Sequence, residues 1–265
     1  IEAQYGSLAD LDELLKQAHA RGIGVIMDYV INHSAFQNPL FANSRAGDSN
    51  PYRAWYLWQN PRPSGWNIYG NNPWYGNAAG YYFAAFWDQM PDWNLQNAAV
   101  LAYHRDNLRW WLNRGPDGFR LDAVGHLVEN GPTQWNNQPQ NYPIMRDVKA
   151  LVDGYARRWM VCESPEDAAG FTAACGSAFA FGHHANVVRA THGEAAAVAG
   201  DVRRWLDERV DRLRVPRADR RRAHRRGNAQ VVDPRRVARA AQRAAAVRDP
   251  VRPRCDGVLD AALGH

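Results

Sequence analysis

The chain has 265 residues, 46% of them apolar, which is enough to bury a core for one α/β barrel or two smaller domains and excludes disorder as a whole. Its formal charge of +5 is unevenly placed: residues 1–200 hold 14 Lys and Arg against 18 Asp and Glu, a net of −4, while residues 201–265 hold 18 against 9, a net of +9. No apolar run approaches the roughly 20 residues needed to cross a bilayer, so no membrane partner is expected.

Cys162, Cys175 and Cys255 are an odd number without close pairs. They favour buried or incidental thiols over a disulfide framework or a metal cluster. The first residue is isoleucine, and no charged segment followed by an apolar one marks a leader, so the sequence assigns no cellular location.

Residues 7–21 (SLADLDELLKQAHAR) predict an amphipathic helix with Ser7 as N-cap and an apolar stripe of Leu8, Leu11, Leu14, Leu15 and Ala18, stopped by Gly22. The run GIGVIMDYVINH then predicts a strand buried on both faces, as parallel strands are. From Ser34 to Met90 the periodicity is lost, and Gly, Pro, Asn and aromatic residues dominate. An excursion of this length predicts an inserted subdomain covering a site.

Leu101 to Arg114 predicts a helix ended by Gly115-Pro116, DGFRLDAVGH a second strand, Tyr142 to Arg158 a helix, and RWMVCES a third strand. The alternation is that of βα units and implies a parallel sheet, with a (β/α) barrel as its closed form and catalytic groups at the carboxyl ends of its strands. Near residue 190 the sequence changes character. Beyond Trp205 it contains no Phe, Tyr, Trp, Lys, Ile or Met, and no fold is legible there.

Polar groups gather where the three strands end: Asp28, Asn32 and His33 on the first, Arg120, Asp122 and His126 on the second, Glu163 on the third. Alternation puts Arg120 and Asp122 on one face, where the guanidinium holds the carboxylate ionised and directed, as a nucleophile requires. Glu163, in a drier place, could hold a proton and donate it. The pair is compatible with the roughly 5–5.5 Å separation of retaining glycosidases. His33 could donate to a substrate hydroxyl, and Tyr69, Trp74, Tyr75, Tyr81 and Trp87 could stack on sugar rings or pack the subdomain. His126 reads equally well as a structural histidine, and Asp28 as a loop anchor bonded to Arg120.

Four segments, in order, resemble motifs of glycoside hydrolase family 13, the α-amylase family: DYVINH (28–33), MPDWN (90–94), GFRLDAVGH (118–126) and VCES (161–164). The resemblance covers about residues 1–185. It implies a partial (β/α)8 TIM-type barrel with barrel parts at 1–33 and 94–189 and a loop-rich subdomain at 34–93 after the third strand, while the composition of 190–265 reads as a non-native or disordered Arg/Ala-rich segment. It implies cleavage or transfer of α-glucosidic bonds with retention through a glycosyl-enzyme. Asp122 would be the nucleophile and Glu163 the acid/base, with Arg120, His33, Asp28, His126, Tyr69 and Trp87 at the substrate and an α-glucan or maltooligosaccharide as partner. Asn32 stands where many amylases place a calcium ligand, although no cofactor is required.

The sequence also departs from that pattern. Two barrel strands would precede the first helix, no Asn-His-Asp triplet carrying the third carboxylate follows Glu163, and Gly125 stands where many amylases have lysine, which favours short α-glucosides over starch. A chain that leaves its reading frame near residue 190 unites these departures with the Arg-rich end, and implies an incomplete enzyme with little or no turnover alone. The alternatives are a non-catalytic sugar-binding remnant, or nucleic-acid binding through the basic end, whose lack of interleaved aromatics counts against base stacking.

Overall fold

The structure is a computed structural model that describes residues 1, 3–181, 184–194, 196, 198–200 and 203. Most of the 190–265 segment read as Arg/Ala-rich, and Cys255 with it, therefore lies outside the described residues, which include 190–194, 196, 198–200 and 203 of it.

Helix α1 spans Leu8–Ala20 and begins at a reciprocal cap in which Ser7 and Asp10 satisfy each other's backbone N–H groups. Only Leu15 of its expected stripe is buried; Leu8 and Leu14 are exposed. Strand β1, Ile26–Val30, pairs in parallel with β5, Gly118–Asp122, and β5 pairs in parallel with β6, Trp159–Cys162. The sheet order is β1-β5-β6.

The expectation that the first strand is buried on both faces is corrected. Ile26 and Val30 are 38% and 41% exposed, because among the described residues β1 has a strand partner on one side only and no element covers its inward face. The opposite face is the core. Phe119, Leu121, Met160 and Cys162 are buried there, together with Leu108 and Leu112 of helix α3 (Ala98–Arg114), Met145, Val148 and Val152 of α4 (Asn141–Asp153), and Phe171 of α5 (Ala168–Cys175). Helix α4 stops well short of Arg158, with Gly154 as its C-cap.

Gly118 opens β5 at φ 153°, and a Cβ there would come within 1.7 Å of the Trp159 carbonyl oxygen. The backbones of β5 and β6 approach closely enough at this point that only glycine fits.

Residues 34–90 are more regular than their sequence suggests. They form a short helix α2 (Pro39–Ser44) and an antiparallel sheet ordered β2-β4-β3, from Trp58–Gln59, Trp74–Asn77 and Gly80–Phe83. Its packing is aromatic: Phe41 touches Tyr56, Trp58 and Tyr82, and Trp74 packs on Phe83 and Trp66. Trp74 is a core residue, 6% exposed, and is unavailable to a sugar.

The cysteines are a second correction. Cys162 and Cys175 form a disulfide that closes the segment between β6 and α5. They stand thirteen positions apart in sequence, and the chain reversal between strand and helix brings their Cα atoms to 6.2 Å. No described helix is long and apolar enough to cross a membrane.

Candidate active site

The inward face of the parallel sheet carries the site. Register places Asp28 opposite Arg120 and Val30 opposite Asp122, and Glu163 follows directly on β6, its N–H donating to the Leu121 carbonyl at 2.9 Å. Arg120 is the hub. Its Nη1 reaches both oxygens of Asp28 at 2.8 and 2.7 Å and Asp122 Oδ1 at 2.6 Å, while its Nη2 reaches Glu163 Oε2 at 2.5 Å. Charge-assisted bonds of this length fix direction as well as charge.

Asp122 and Glu163 share Arg120 as their cation, which holds the two carboxyls side by side. Burial raises the Glu163 carboxyl above its usual range and the neighbouring Asp122 carboxyl raises it further, against the lowering pull of the Ala123 N–H and of Arg120. A carboxyl that keeps its proton above the usual range is what a proton donor requires.

Ala123, whose N–H points at Glu163 Oε2 over 3.3 Å, sits at φ 49° and ψ 37°. A non-glycine residue in this left-handed region costs about 1–2 kcal/mol and is tolerated where surrounding structure holds it. Here it turns the chain sharply after Asp122.

Two histidines flank the carboxyls. His33 Nδ1 pairs with Asn32 Oδ1 at 2.9 Å, and burial lowers its pKa against the pull of Asp122. Burial pushes His126 down to about 4, against the charges of Glu166 and Asp122, so it is neutral at pH 7. Tyr69 Oη meets His126 Nε2 at 3.1 Å, and Phe86 lies edge-on to both histidines.

The structure therefore brings together Asp28, His33, Arg120, Asp122, His126, Glu163 and Tyr69. It does not bring in Trp87, which is exposed and has no ring contact among the described residues. Tyr75 and Tyr81 belong to the antiparallel sheet.

Behind this layer lies a buried polar cluster that the sequence only hinted at. Asn32 is 1% exposed, and its side-chain amide donates to Asp92 Oδ2 at 3.3 Å and to the His126 carbonyl. Burial pushes the carboxyls of Asp92 and Glu129 well above the ordinary range, and Glu129 Oε1 has no hydrogen-bond partner. These residues do not form a calcium site as arranged. Calcium needs converging oxygens, whereas Asn32 turns its nitrogen to Asp92 and the His126 carbonyl and its oxygen to His33. Among the described residues no group of three His, Cys, Asp or Glu is placed to hold a metal.

Sequence reasoning missed Phe86, Glu129, Trp135 and Glu166. Asp92 had a signal, since MPDWN places it, but that signal did not say it would pair with Asn32.

A parallel α/β sheet with paired carboxyls and an arginine at its strand ends is the arrangement that barrel-type glycosidases use. The alpha amylase catalytic domain family matches residues 1–216, further than the motifs alone reach, and the chain belongs to that family.

Among its relatives, Alpha-amylase 3 of Dictyoglomus thermophilum is 33% identical over 152 residues, 57% of this chain and 30% of that protein. An alpha-glucosidase of Culex pipiens is 39% identical over 170 residues, covering 58% and 29%. Among solved structures, trehalose-6-phosphate hydrolase of Bacillus licheniformis matches with a TM-score of 0.60 at 27% identity, covering 65% of this chain and 35% of that one. The alpha-glucosyl transfer enzyme XgtA matches with a TM-score of 0.60 at 32% identity, covering 65% and 40%. The chain spans about 30% of the length of these curated relatives.

Proposed function

We propose that this chain carries the cleavage half of an α-glucosidase-type site, acting on short α-glucosides with retention. The observation that carries this is the triple pairing of Arg120 with Asp28, Asp122 and Glu163 at the strand ends, with the Glu163 carboxyl raised by burial. Asp122 attacks the anomeric carbon as Glu163 gives its proton to the departing glycosidic oxygen, leaving a glycosyl ester on Asp122. Glu163, now ionised, takes a proton from water, whose oxygen attacks the same carbon and frees Asp122. Arg120 holds Asp122 in line, neutral His33 hydrogen-bonds a sugar hydroxyl, and buried His126 positions Tyr69 at the cleft. No step passes through a metal.

The names of the relatives, α-glucosidase and oligo-1,6-glucosidase among them, favour short substrates. In this reading residues 1–33 and 94–189 are barrel parts, and 34–93 is the domain inserted after the third strand. The open inward face keeps turnover slow: Ile26, Val30 and Trp159 are exposed there, and water at the site weakens every electrostatic contribution.

The test is hydrolysis of p-nitrophenyl α-glucoside, with the anomer of the released glucose read by NMR. The expected result is slow release of α-glucose, reduced to background in Asp122→Asn. Glu163→Gln should be hurt less on this substrate than on maltose, because p-nitrophenolate leaves without a proton. A folded protein with no turnover sensitive to Asp122→Asn would overturn the reading.

A further inference from the structure

His126 has no free side. Trp135 stacks flat on it, 5.5 Å between centroids at 13°, while Phe86 and Tyr69 meet its edges at 4.9 and 6.0 Å. Trp135 also meets Tyr69 at 5.6 Å and packs against the cluster of Ile68, Trp74, Phe83 and Ala85. It thereby joins the segment after β5 to the antiparallel sheet. Phe86 also meets His33 at 5.7 Å and Tyr69 is exposed, so the same rings stand at the surface beside the histidines that flank the carboxyl pair.

What seats Trp135 is Gly125. A short turn closes at Asn130 and Gln134, whose N–H and carbonyl meet at 2.7 Å, and delivers Trp135. Directly after it, the Asn137 N–H donates to the Gly125 carbonyl at 2.7 Å, and Asn141 Nδ2 donates to the same oxygen at 2.7 Å. The side-chain oxygens of Asn136 and Asn137 lie 2.6 and 2.9 Å from where a Cβ on residue 125 would stand. An alanine there need only turn two amide ends aside. A longer side chain must pass through the space the two asparagines fill, and so must lift the segment that bears Trp135.

We propose that Trp135 is a specificity-determining wall, seated on His126 because residue 125 is glycine, which confines the cleft to glucosides of one or two sugars. A longer glucan leaving the carboxyl pair past His126 meets Trp135, Tyr69 and Phe86 and can extend only by displacing them. This inference rests on the proposed function. It adds to that reading which residues set the length of the substrate.

The experiment has one arm without ligand and one with it. Near-ultraviolet circular dichroism of the free protein should lose the same band in Gly125→Leu as in Trp135→Ala, and keep most of it in Gly125→Ala, with denaturation midpoints confirming that each variant is folded. Calorimetry with maltose and maltoheptaose should then show maltoheptaose gaining at least about tenfold over maltose in Gly125→Leu and Trp135→Ala relative to the original chain. The proposal is overturned if Gly125→Leu keeps the Trp135 band, or if the affinity ratio moves less than about twofold in both variants. Failure of the original chain to bind 1-deoxynojirimycin, a cationic single-ring sugar mimic, would instead overturn the proposed function and remove the specificity with it.

Discussion

The two faces of the parallel sheet do opposite work with alternate residues of the same strands. On the outward face Phe119 and Leu121 are fully buried beneath α3 and α4. On the inward face their neighbours Arg120 and Asp122 join Asp28 and Glu163 in a charged network with water at its edge. A period of two makes this separation automatic, since a one-residue slip would bury the charges and expose the core. Stability and chemistry therefore sit one residue apart and answer to different substitutions.

The strongest break falls on the outward face. Phe119→Ala removes a ring fully out of water that packs edge-on to Tyr29, and should cost about 3–5 kcal/mol in chemical denaturation. The matching inward change, Arg120→Met, leaves three carboxyls without their cation. Those groups reach solvent, so screening reduces the penalty to about 1–2 kcal/mol. Binding of 1-deoxynojirimycin should nevertheless fall at least about tenfold by calorimetry, because Asp122 loses its direction. A larger stability loss in Arg120→Met than in Phe119→Ala would contradict the division of labour.

Acid should act through the buried histidines on both sides. His104, whose Nδ1 bonds Tyr29 Oη at 2.9 Å, is pushed down to about 3 by burial, and His126 to about 4. Their folded values lie below the unfolded value near 6.5, so their contribution is complete above that pH. It is lost as pH falls towards 4 for His126 and 3 for His104. Each adds a slope of about 1.4 kcal/mol per pH unit within its window. Buried Asp92 and Glu129 act in the opposite sense, losing stability as pH rises through their elevated values. A denaturation series from pH 7 to 4 should show His104→Gln less stable at pH 7 but with a shallower fall than the original chain.

The smallest effect belongs to the open edge. Val30 faces solvent on a strand paired on one side only, so Val30→Thr should shift stability by no more than about 0.5 kcal/mol.

The carboxyl pair and Arg120 were legible in the sequence because strand alternation and strand ends are local properties. Asp28 was legible for the same reason, and its bond to Arg120 stands as expected. The exposure of Ile26 and Val30 was not, since an apolar run reports what a strand could bury and not whether a neighbour is there to bury it. The Cys162–Cys175 bridge depends on the chain reversal between β6 and α5, which spacing alone does not encode. Trp74 and Tyr69 belong to one aromatic stretch, yet one is core and the other lies at the cleft, a distinction set by pairing in the antiparallel sheet. Trp135 left no periodic signal because a hydrogen-bonded turn and a glycine ten residues earlier, not a helix or strand, place it.

The most direct test of the central claim is calorimetric titration of the chain with 1-deoxynojirimycin beside Asp122→Asn and Glu163→Gln. Binding by the original chain should weaken at least about tenfold when Asp122 loses its charge, and less in Glu163→Gln, because the raised Glu163 carboxyl keeps a proton more readily and glutamine preserves its shape. Equal affinity in all three folded proteins would show that the bridged carboxyls are a structural ion network and not a sugar-cleaving pair.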